Sequence, residues 1–313
     1  MSRAQAFAPA TVANVAVGFD LLGFALEGVG DVVTVETTAE PSVSLTEITD
    51  TNGRELELPT DPTRNTATAG LLKLRADLQL GYGFAVSLRK GIALGSGMGG
   101  SAASAVGAVV AANALLERPL PQAELMPYAL VGEQAASGAA HADNLAPCLF
   151  GGLTLVLSVQ PFRHVALPVP AEMTTVLVHP HLRLDTREAR RILQTHVPLT
   201  EHVRQSAHLA GFIAACYTGD LELLAHSLQD ILIEPQRAPL IPAYAEVKAA
   251  ALAAGALGAG IAGSGPSVFA WVASAQTAMQ VRTAMLRAFA AHGLTEVDAW
   301  TSPVSHRGAT IIR

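Results

Sequence analysis

Residues Gly95-Ser96-Gly97-Met98-Gly99-Gly100-Ser101 put four glycines into seven positions and lead directly into Ala102 to Leu116, a stretch rich in Ala, Val and Leu. Pro119 and Pro121 prevent that stretch from continuing as a helix, so the segment reads as a glycine loop opening a short apolar helix. The first N–H groups of a helix lack intrahelical acceptors and its N-terminal end is positive, which makes such a junction a site for phosphate oxygens. On glycine content alone, a tight turn capped by Ser101 fits equally well.

Two better-known phosphate motifs fail here. The loop contains no lysine, so it is not a Walker A segment. Gly95, Gly97 and Gly100 satisfy Gly-x-Gly-x-x-Gly, as do Gly258, Gly260 and Gly263. After the first, the helix leads through two prolines into another helix, with no second strand ending in a ribose-binding acid. The second follows a helix and precedes a strand, which is the reverse of the dinucleotide order.

Composition narrows the remaining classes. Half of the 313 residues are hydrophobic and 15% are charged, which excludes a disordered chain, a coiled coil or a collagen-like rod. The net charge of −6 and the scattered basic residues, with lysine only at Lys73, Lys90 and Lys248, offer no stripe for nucleic acid. Cys148 and Cys216 are far apart and form neither a disulfide framework nor a cysteine zinc site, which fits a reducing cytoplasm. The N-terminal residues have no apolar run of signal-peptide length, and the uncharged stretches 91–116 and 249–277 are interrupted by glycine, serine and proline. No membrane partner is expected.

Strands are expected at Asp31 to Glu36, Ser42 to Thr46, Gly83 to Arg89, Leu153 to Val159, Thr174 to His179 and Ser267 to Val272. A helix from Gln122 to Ala136 should be kinked or delayed by Pro127 and stop near Gly138. Asp185-Thr186-Arg187-Glu188 has the spacing of a helix N-cap with a reciprocal acid, predicting a helix to about Thr195. Further helices are expected at Ser206 to Tyr217, Leu221 to Leu232, Ala243 to Ala253 and Ala275 to His292. Strands and helices without regular alternation favour α+β layers, and the proline-punctuated stretch from Pro161 to Pro170 suggests two domains, 1–162 and 163–313.

Glu133 is the single Asp, Glu, Lys or Arg between Glu124 and Asp143. A carboxylate in such surroundings is costly to bury unless paired or bound to a cation, and Mg2+ takes oxygen ligands such as Glu133 and the Ser101 hydroxyl. An exposed helical Glu is the plain alternative. His179 and His181 form a His-x-His pair with no evident third zinc ligand, and no Gly-x-Ser-x-Gly elbow supports a serine hydrolase. By the same plain reading, Asp20 is a turn or helix cap, Arg190 lies on a solvated helix face, Asp185 is a cap and His141 is a core histidine.

Residues Ala93-Leu94-Gly95-Ser96-Gly97-Met98-Gly99-Gly100-Ser101-Ala102-Ala103 resemble the ATP loop of the GHMP small-molecule kinases, usually Pro-x-x-x-Gly-Leu-Gly-Ser-Ser-Ala. Ala8 to Asp20 (APATVANVAVGFD) resembles that family's first motif in its homoserine-phosphorylating branch, and Gly258 to Ser267 (GAGIAGSGPS) resembles its third. Ser137 to Pro147 (SGAAHADNLAP) and Leu184 to Arg190 (LDTREAR) resemble the same branch, so the likeness spans nearly the whole chain.

The resemblance implies a two-domain α+β GHMP kinase fold, with an N-terminal domain like domain 2 of ribosomal protein S5 and an α+β C-terminal domain, and with ATP and substrate in the cleft between them. It implies that Ala93 to Ala103 bind ATP and that Ser101 and Glu133 hold Mg2+. Asn14, Asp20, His141, Thr186, Arg190 and Arg237 match positions lining the L-homoserine pocket. A zwitterion needs an anion for its ammonium and planar cations for its carboxylate, which Asp20 with Arg190 and Arg237 can supply. Asn14, Asn144 and Arg190 carry the implied catalytic roles, and Asn144 stands where other members of the superfamily can carry an Asp. The implied mechanism therefore has no obvious protein base and relies on positioning and charge neutralisation. A cytoplasmic homodimer is the family expectation.

Ala93 replaces the family's usual Pro, and Gly100 replaces the first of its paired serines. Backbone N–H groups and Ser101 remain, so weaker or retuned ATP binding is expected rather than inactivity. The alternatives are a GHMP kinase for another small alcohol, such as mevalonate, and a catalytically silent metabolite sensor of the same fold.

Overall fold

The computed structural model describes residues 2–138 and 141–312. Strands β1 (Arg3–Ala13) and β2 (Leu22–Thr38) pair antiparallel along most of their length. β3 (Val43–Asp50) runs parallel to β4 (Gly83–Lys90), and β4 in turn lies antiparallel to β2. Small residues explain the close approach of helix α2 (Gly100–Asn113) to this sheet. A Cβ at Gly107 would come within 2.5 Å of Val33, so only glycine lets helix and strand meet there.

Helices α1 (Thr66–Asp77) and α3 (Met126–Ser137) flank α2, and α4 (Leu145–Phe150) follows. α1 is not among the helices expected from the sequence; Asn65 caps it by accepting the Ala67 N–H at 2.9 Å. As expected, Pro127 delays α3: Gln122–Leu125 form a 3₁₀ turn, and Gly138 closes the helix in the left-handed conformation. β5 (Leu153–Val159) pairs with β2 and with β6 (Phe162–Leu167). The anticipated division at 162/163 thus falls at the first residue of β6, whose partner remains in the first sheet. β11 (Thr310–Ile312) returns from the far end of the chain to the same sheet, beside β1.

The second sheet has the order β10 (Val297–Pro303), β7 (Thr174–Pro180), β9 (Val268–Val272), β8 (Gly258–Ile261), all antiparallel. α9 (Tyr244–Ala253) and α10 (Ala275–Ala291) cover it through Val247, Ala251, Val281, Met285 and Phe289. Between the sheets, Phe24 meets Trp271 and Phe269 with ring centres 5.3 and 6.1 Å apart, and Phe212 meets Trp271 at 5.6 Å. Burial of these aromatic faces joins the two halves through one continuous core.

Three expectations need correction. α5 (Thr186–Arg191) is capped by Asp185 as anticipated, but it ends before Thr195, where the Gln194 N–H turns to the side chain of Gln236 at 2.7 Å. α6 (Leu199–Thr218) precedes α7 (Leu221–Ser227), which stops short of Leu232. Asp230 instead gathers the N–H groups of Leu232, Ile233 and Glu234 and starts the short α8 (Glu234–Arg237). Finally, the second glycine segment, expected only to lie between a helix and a strand, itself opens as strand β8 and turns only at Gly263 to Pro266. Among the described residues, no helix is long and apolar enough to cross a membrane.

Candidate active site

The glycine loop is held from three sides. The Thr11 N–H on β1 donates to the Met98 carbonyl at 3.1 Å, the Leu184 N–H to Gly95 at 3.1 Å, and Ser267 donates both its N–H and its hydroxyl to the Ser96 carbonyl. Gly97 has φ +80° and lies so close to Ala262 and Gly265 that a Cβ would approach their carbonyl oxygens to 2.4 and 2.7 Å. Below the loop, the buried Lys90 ammonium pairs with Asp31 and donates to the Gly100 carbonyl at 2.7 Å and to Ser104 at 2.8 Å. Asp31 also accepts the N–H groups of Gly91 and Ile92, so this buried charge pair is fully hydrogen-bonded and ties strand end to helix start.

α2 begins at Gly100, its N-cap is Gly99, and no side chain caps it. The turn-and-Ser-cap reading of Ser101 is therefore replaced. The Ser101 hydroxyl instead bonds the Glu133 carboxyl. The first intrahelical bond runs from Ala103 to Gly99, and the N–H groups before it precede any helical carbonyl they could reach. Oε2 of Glu133 is shielded from solvent, and burial pushes the carboxyl up to about 7, opposed by the Ser101 bond. A buried carboxylate and a hydroxyl in contact beside the glycine loop are the kind of oxygen donors that could hold a Mg2+ ion, whose charge would offset the cost of ionising Glu133.

The first motif forms a strained turn. Asn14, Val15 and Ala16 have φ of +70°, +45° and +55°, and Asp20 has +60°. Such values disfavour L residues, β-branched Val15 most of all, and they persist where surrounding contacts over-determine them. Asn14 supplies such contacts: Nδ2 donates to the Gly263 carbonyl at 2.7 Å and Oδ1 accepts the Asp20 N–H at 3.1 Å. The turn thereby delivers Asp20 to Arg190, whose two terminal nitrogens donate to the carboxylate at 2.9 and 2.6 Å. His141 Nδ1 lies 3.7 Å from the same carboxylate. Burial pushes His141 below its ordinary value, Asp20 opposes this, and the two arginines add to it.

Arg237 is buried, and it directs Nε to the Ala189 carbonyl at 3.1 Å and Nη1 to Gly263 at 3.0 Å. Both guanidinium groups lie against Phe19, 5.1 Å for Arg190 and 5.0 Å for Arg237. Thr186 meets Ser264 of the third motif at 3.2 Å. These contacts bring together the residues expected to line a substrate pocket, with Asp20 and Arg190 facing each other. Ala139 and Ala140, inside the motif around His141, lie outside the described residues.

Several residues of the site were not anticipated. Thr11 donates its hydroxyl to Asn144 Oδ1 at 2.6 Å. Asp143 is buried next to Asn144 and caps its N–H at 3.1 Å, and burial, with the charges of Asp20 and Glu133, pushes its carboxyl up to about 7. Phe19, Lys90, Asp31 and Ser267 complete the set. Thr11, Phe19, Asp143 and Ser267 lie within quoted motifs without standing out there, and Asp31 and Lys90 lie outside them. His179 Nδ1 lies 3.0 Å from the Ser267 hydroxyl, which itself donates to Ser96, while His181 turns to Asp298. No cluster of three metal-ligating side chains occurs among the described residues.

Comparison with known proteins fits this geometry. The family descriptions "GHMP kinases N terminal domain" and "GHMP kinases C terminal" match residues 65–152 and 212–291. A homoserine kinase of Xanthomonas campestris is 48% identical over 312 residues, covering 100% of this chain and 95% of the relative. A homoserine kinase of Xylella fastidiosa is 49% identical over 310 residues, covering 99% and 94%. The crystal structure of a homoserine kinase from Cytophaga hutchinsonii superposes with a TM-score of 0.95 at 42% identity, covering 100% of this chain and 98% of that one. The chain belongs to the GHMP kinases, and within them to the homoserine kinase family.

Proposed function

We infer that the protein transfers the γ-phosphoryl group of ATP to the side-chain hydroxyl of L-homoserine, giving ADP and O-phospho-L-homoserine for threonine biosynthesis. The observation that carries this reading is the Asp20–Arg190 pair with His141 and Phe19, linked to the glycine loop through Asn14 and Gly263. An adjacent anion and planar cation match the ammonium and carboxylate of an amino acid, and a zwitterion complements both without adding net charge. Mevalonate, which has no ammonium, gives Asp20 no counterpart.

The N–H groups at the start of α2 and the loop from Ala93 to Ala103 would take the phosphate oxygens. Ser101 and Glu133 would hold Mg2+, which when bound neutralises phosphate charge. In the transfer, the homoserine hydroxyl oxygen forms the new bond to the γ-phosphorus, the bond to the β,γ-bridging oxygen breaks with that oxygen leaving on ADP, and the hydroxyl proton passes through a phosphate oxygen to water. Asn14 fixes the turn that carries Asp20, Arg190 orients the amino acid, and Asn144 faces the transfer with an amide rather than a base. Positioning and fixed charge then supply the rate enhancement, as phosphoryl transfer permits. By the same family resemblance the enzyme works in the cytoplasm as a homodimer. Mg2+-dependent ADP release with L-homoserine, and none with mevalonate or galactose, is the test. ATP binding without turnover would favour the sensor reading.

A further inference from the structure

Asn144 has a neighbour that fixes which way its amide faces. Thr11 is fully buried on β1, and its hydroxyl finds one acceptor among the described residues, Asn144 Oδ1 at 2.6 Å. The backbone N–H of Thr11 is already committed to the Met98 carbonyl of the glycine loop. The pair lies directly against the start of α2: a Cβ at Gly99 would meet Thr11 Oγ1 at 2.1 Å and Asn144 Oδ1 at 2.8 Å. Gly99 is the residue whose left-handed turn opens the helix toward the phosphate site.

We propose that Thr11 is a positioning residue for phosphoryl transfer, holding Asn144 so that its amide nitrogen, and not its oxygen, serves the reacting groups. A hydroxyl can donate one hydrogen, and Thr11 gives it to Oδ1. The Asn144 Nδ2 has no protein acceptor among the described residues, so its two hydrogens remain available to a ligand oxygen. Asn144 then stabilises negative charge on a transferring or attacking oxygen and cannot accept the alcohol proton. This inference rests on the kinase reading above and explains why an amide suffices at position 144.

Thr11→Val keeps the volume and the backbone bond to Met98 while removing the hydroxyl, and Thr11→Ser retains the donor. Thr11→Val should lower kcat roughly tenfold or more, with the KM values for ATP and alcohol changed less than about twofold, whereas Thr11→Ser should stay within about threefold of the parent. In an Asn144→Ala background, Thr11→Val should have no further effect, because its target is gone. An unchanged kcat in Thr11→Val, or an equal loss with and without Asn144, overturns the proposal.

A spectrum of the ligand-free protein separates this outcome from failure of the substrate assignment. The Asn144 side-chain NH2 resonances should be alike in the parent and Thr11→Ser and displaced in Thr11→Val. If the parent leaves L-homoserine unphosphorylated, the substrate reading fails, and the kinetic arm is read with the alcohol it does phosphorylate. An undisturbed Asn144 amide in Thr11→Val overturns the positioning role whatever the acceptor.

Discussion

Asp20 and Arg190, 170 positions apart in the chain, meet in a two-pronged contact of 2.6 and 2.9 Å that joins the strained turn after β1 to helix α5. The two opposite charges neutralise each other. Removing one partner leaves the other uncompensated. Arg190→Ala should therefore raise the homoserine KM roughly tenfold or more while leaving the ATP KM nearly unchanged, the size expected for a charged hydrogen-bonding contact. Arg190→Lys should recover only part of the loss, since an ammonium cannot form the planar fork. Steady-state kinetics with each substrate varied provides the check, and a parental homoserine KM in Arg190→Ala contradicts the assignment.

Glu133→Gln removes the buried charge while keeping the shape. Turnover should fall roughly tenfold or more, and the Mg2+ concentration for half-maximal rate should rise, through loss of a charged cation ligand. The variant should remain folded by circular dichroism. Parental activity and Mg2+ dependence would show that Glu133 holds no cation.

Asp143 predicts a pH effect on stability. Its carboxyl has an ordinary value of 3.8 and is raised to about 7 in the folded protein, chiefly by burial. A raised carboxyl favours folding at low pH, and this contribution is lost as pH rises between those two values. Denaturant unfolding of the ligand-free protein should show stability falling from pH 5 to pH 8 by a larger amount than in Asp143→Asn, by on the order of a few kcal/mol. The side-chain amide oxygen of that variant can still accept the Asn144 N–H, so the cap is kept and only the titration is removed. Parallel stability profiles would contradict the burial argument.

Two glycines of the loop should respond oppositely. Gly99→Ala places a Cβ 2.1 Å from Thr11 Oγ1 at a φ of +70° and should abolish nucleotide binding. At Gly100 a Cβ would lie 3.3 Å from Ile92 and 3.6 Å from the Lys90 ammonium, close but without backbone obstruction. Gly100→Ser, which restores the family's more common residue, should fold and bind ATP more tightly. Calorimetric titration distinguishes the two, and equal effects would show that the loop is not the nucleotide site.

The strands with period-two alternation and most of the helices with capping residues were legible in sequence, whereas α1 was missed although Asn65 caps it locally. Asp185, Pro127 and Gly138 each act where expected, because their effects are local. What escaped were features decided by distant partners. Alanine-rich β1 lacks strong alternation yet becomes a strand because its small side chains fit beneath α2. β8 looks like a flexible glycine run but is fixed by pairing with β9. The site divides in the same way. Asp20, Arg190, Ser101 and Glu133 stood out through motif or isolation in sequence. Thr11 and Asp143 did not, since one buried hydroxyl touching an amide 133 positions away leaves no mark in either segment.

The central claim is tested most directly by Mg2+-dependent ADP release from purified protein given ATP and, in turn, L-homoserine, L-serine, mevalonate, galactose or no acceptor. Strong selectivity for L-homoserine, with O-phospho-L-homoserine formed in equal amount to ADP, is the predicted result. Preferred turnover of mevalonate or galactose, or ATP binding with no acceptor-dependent release, would contradict it.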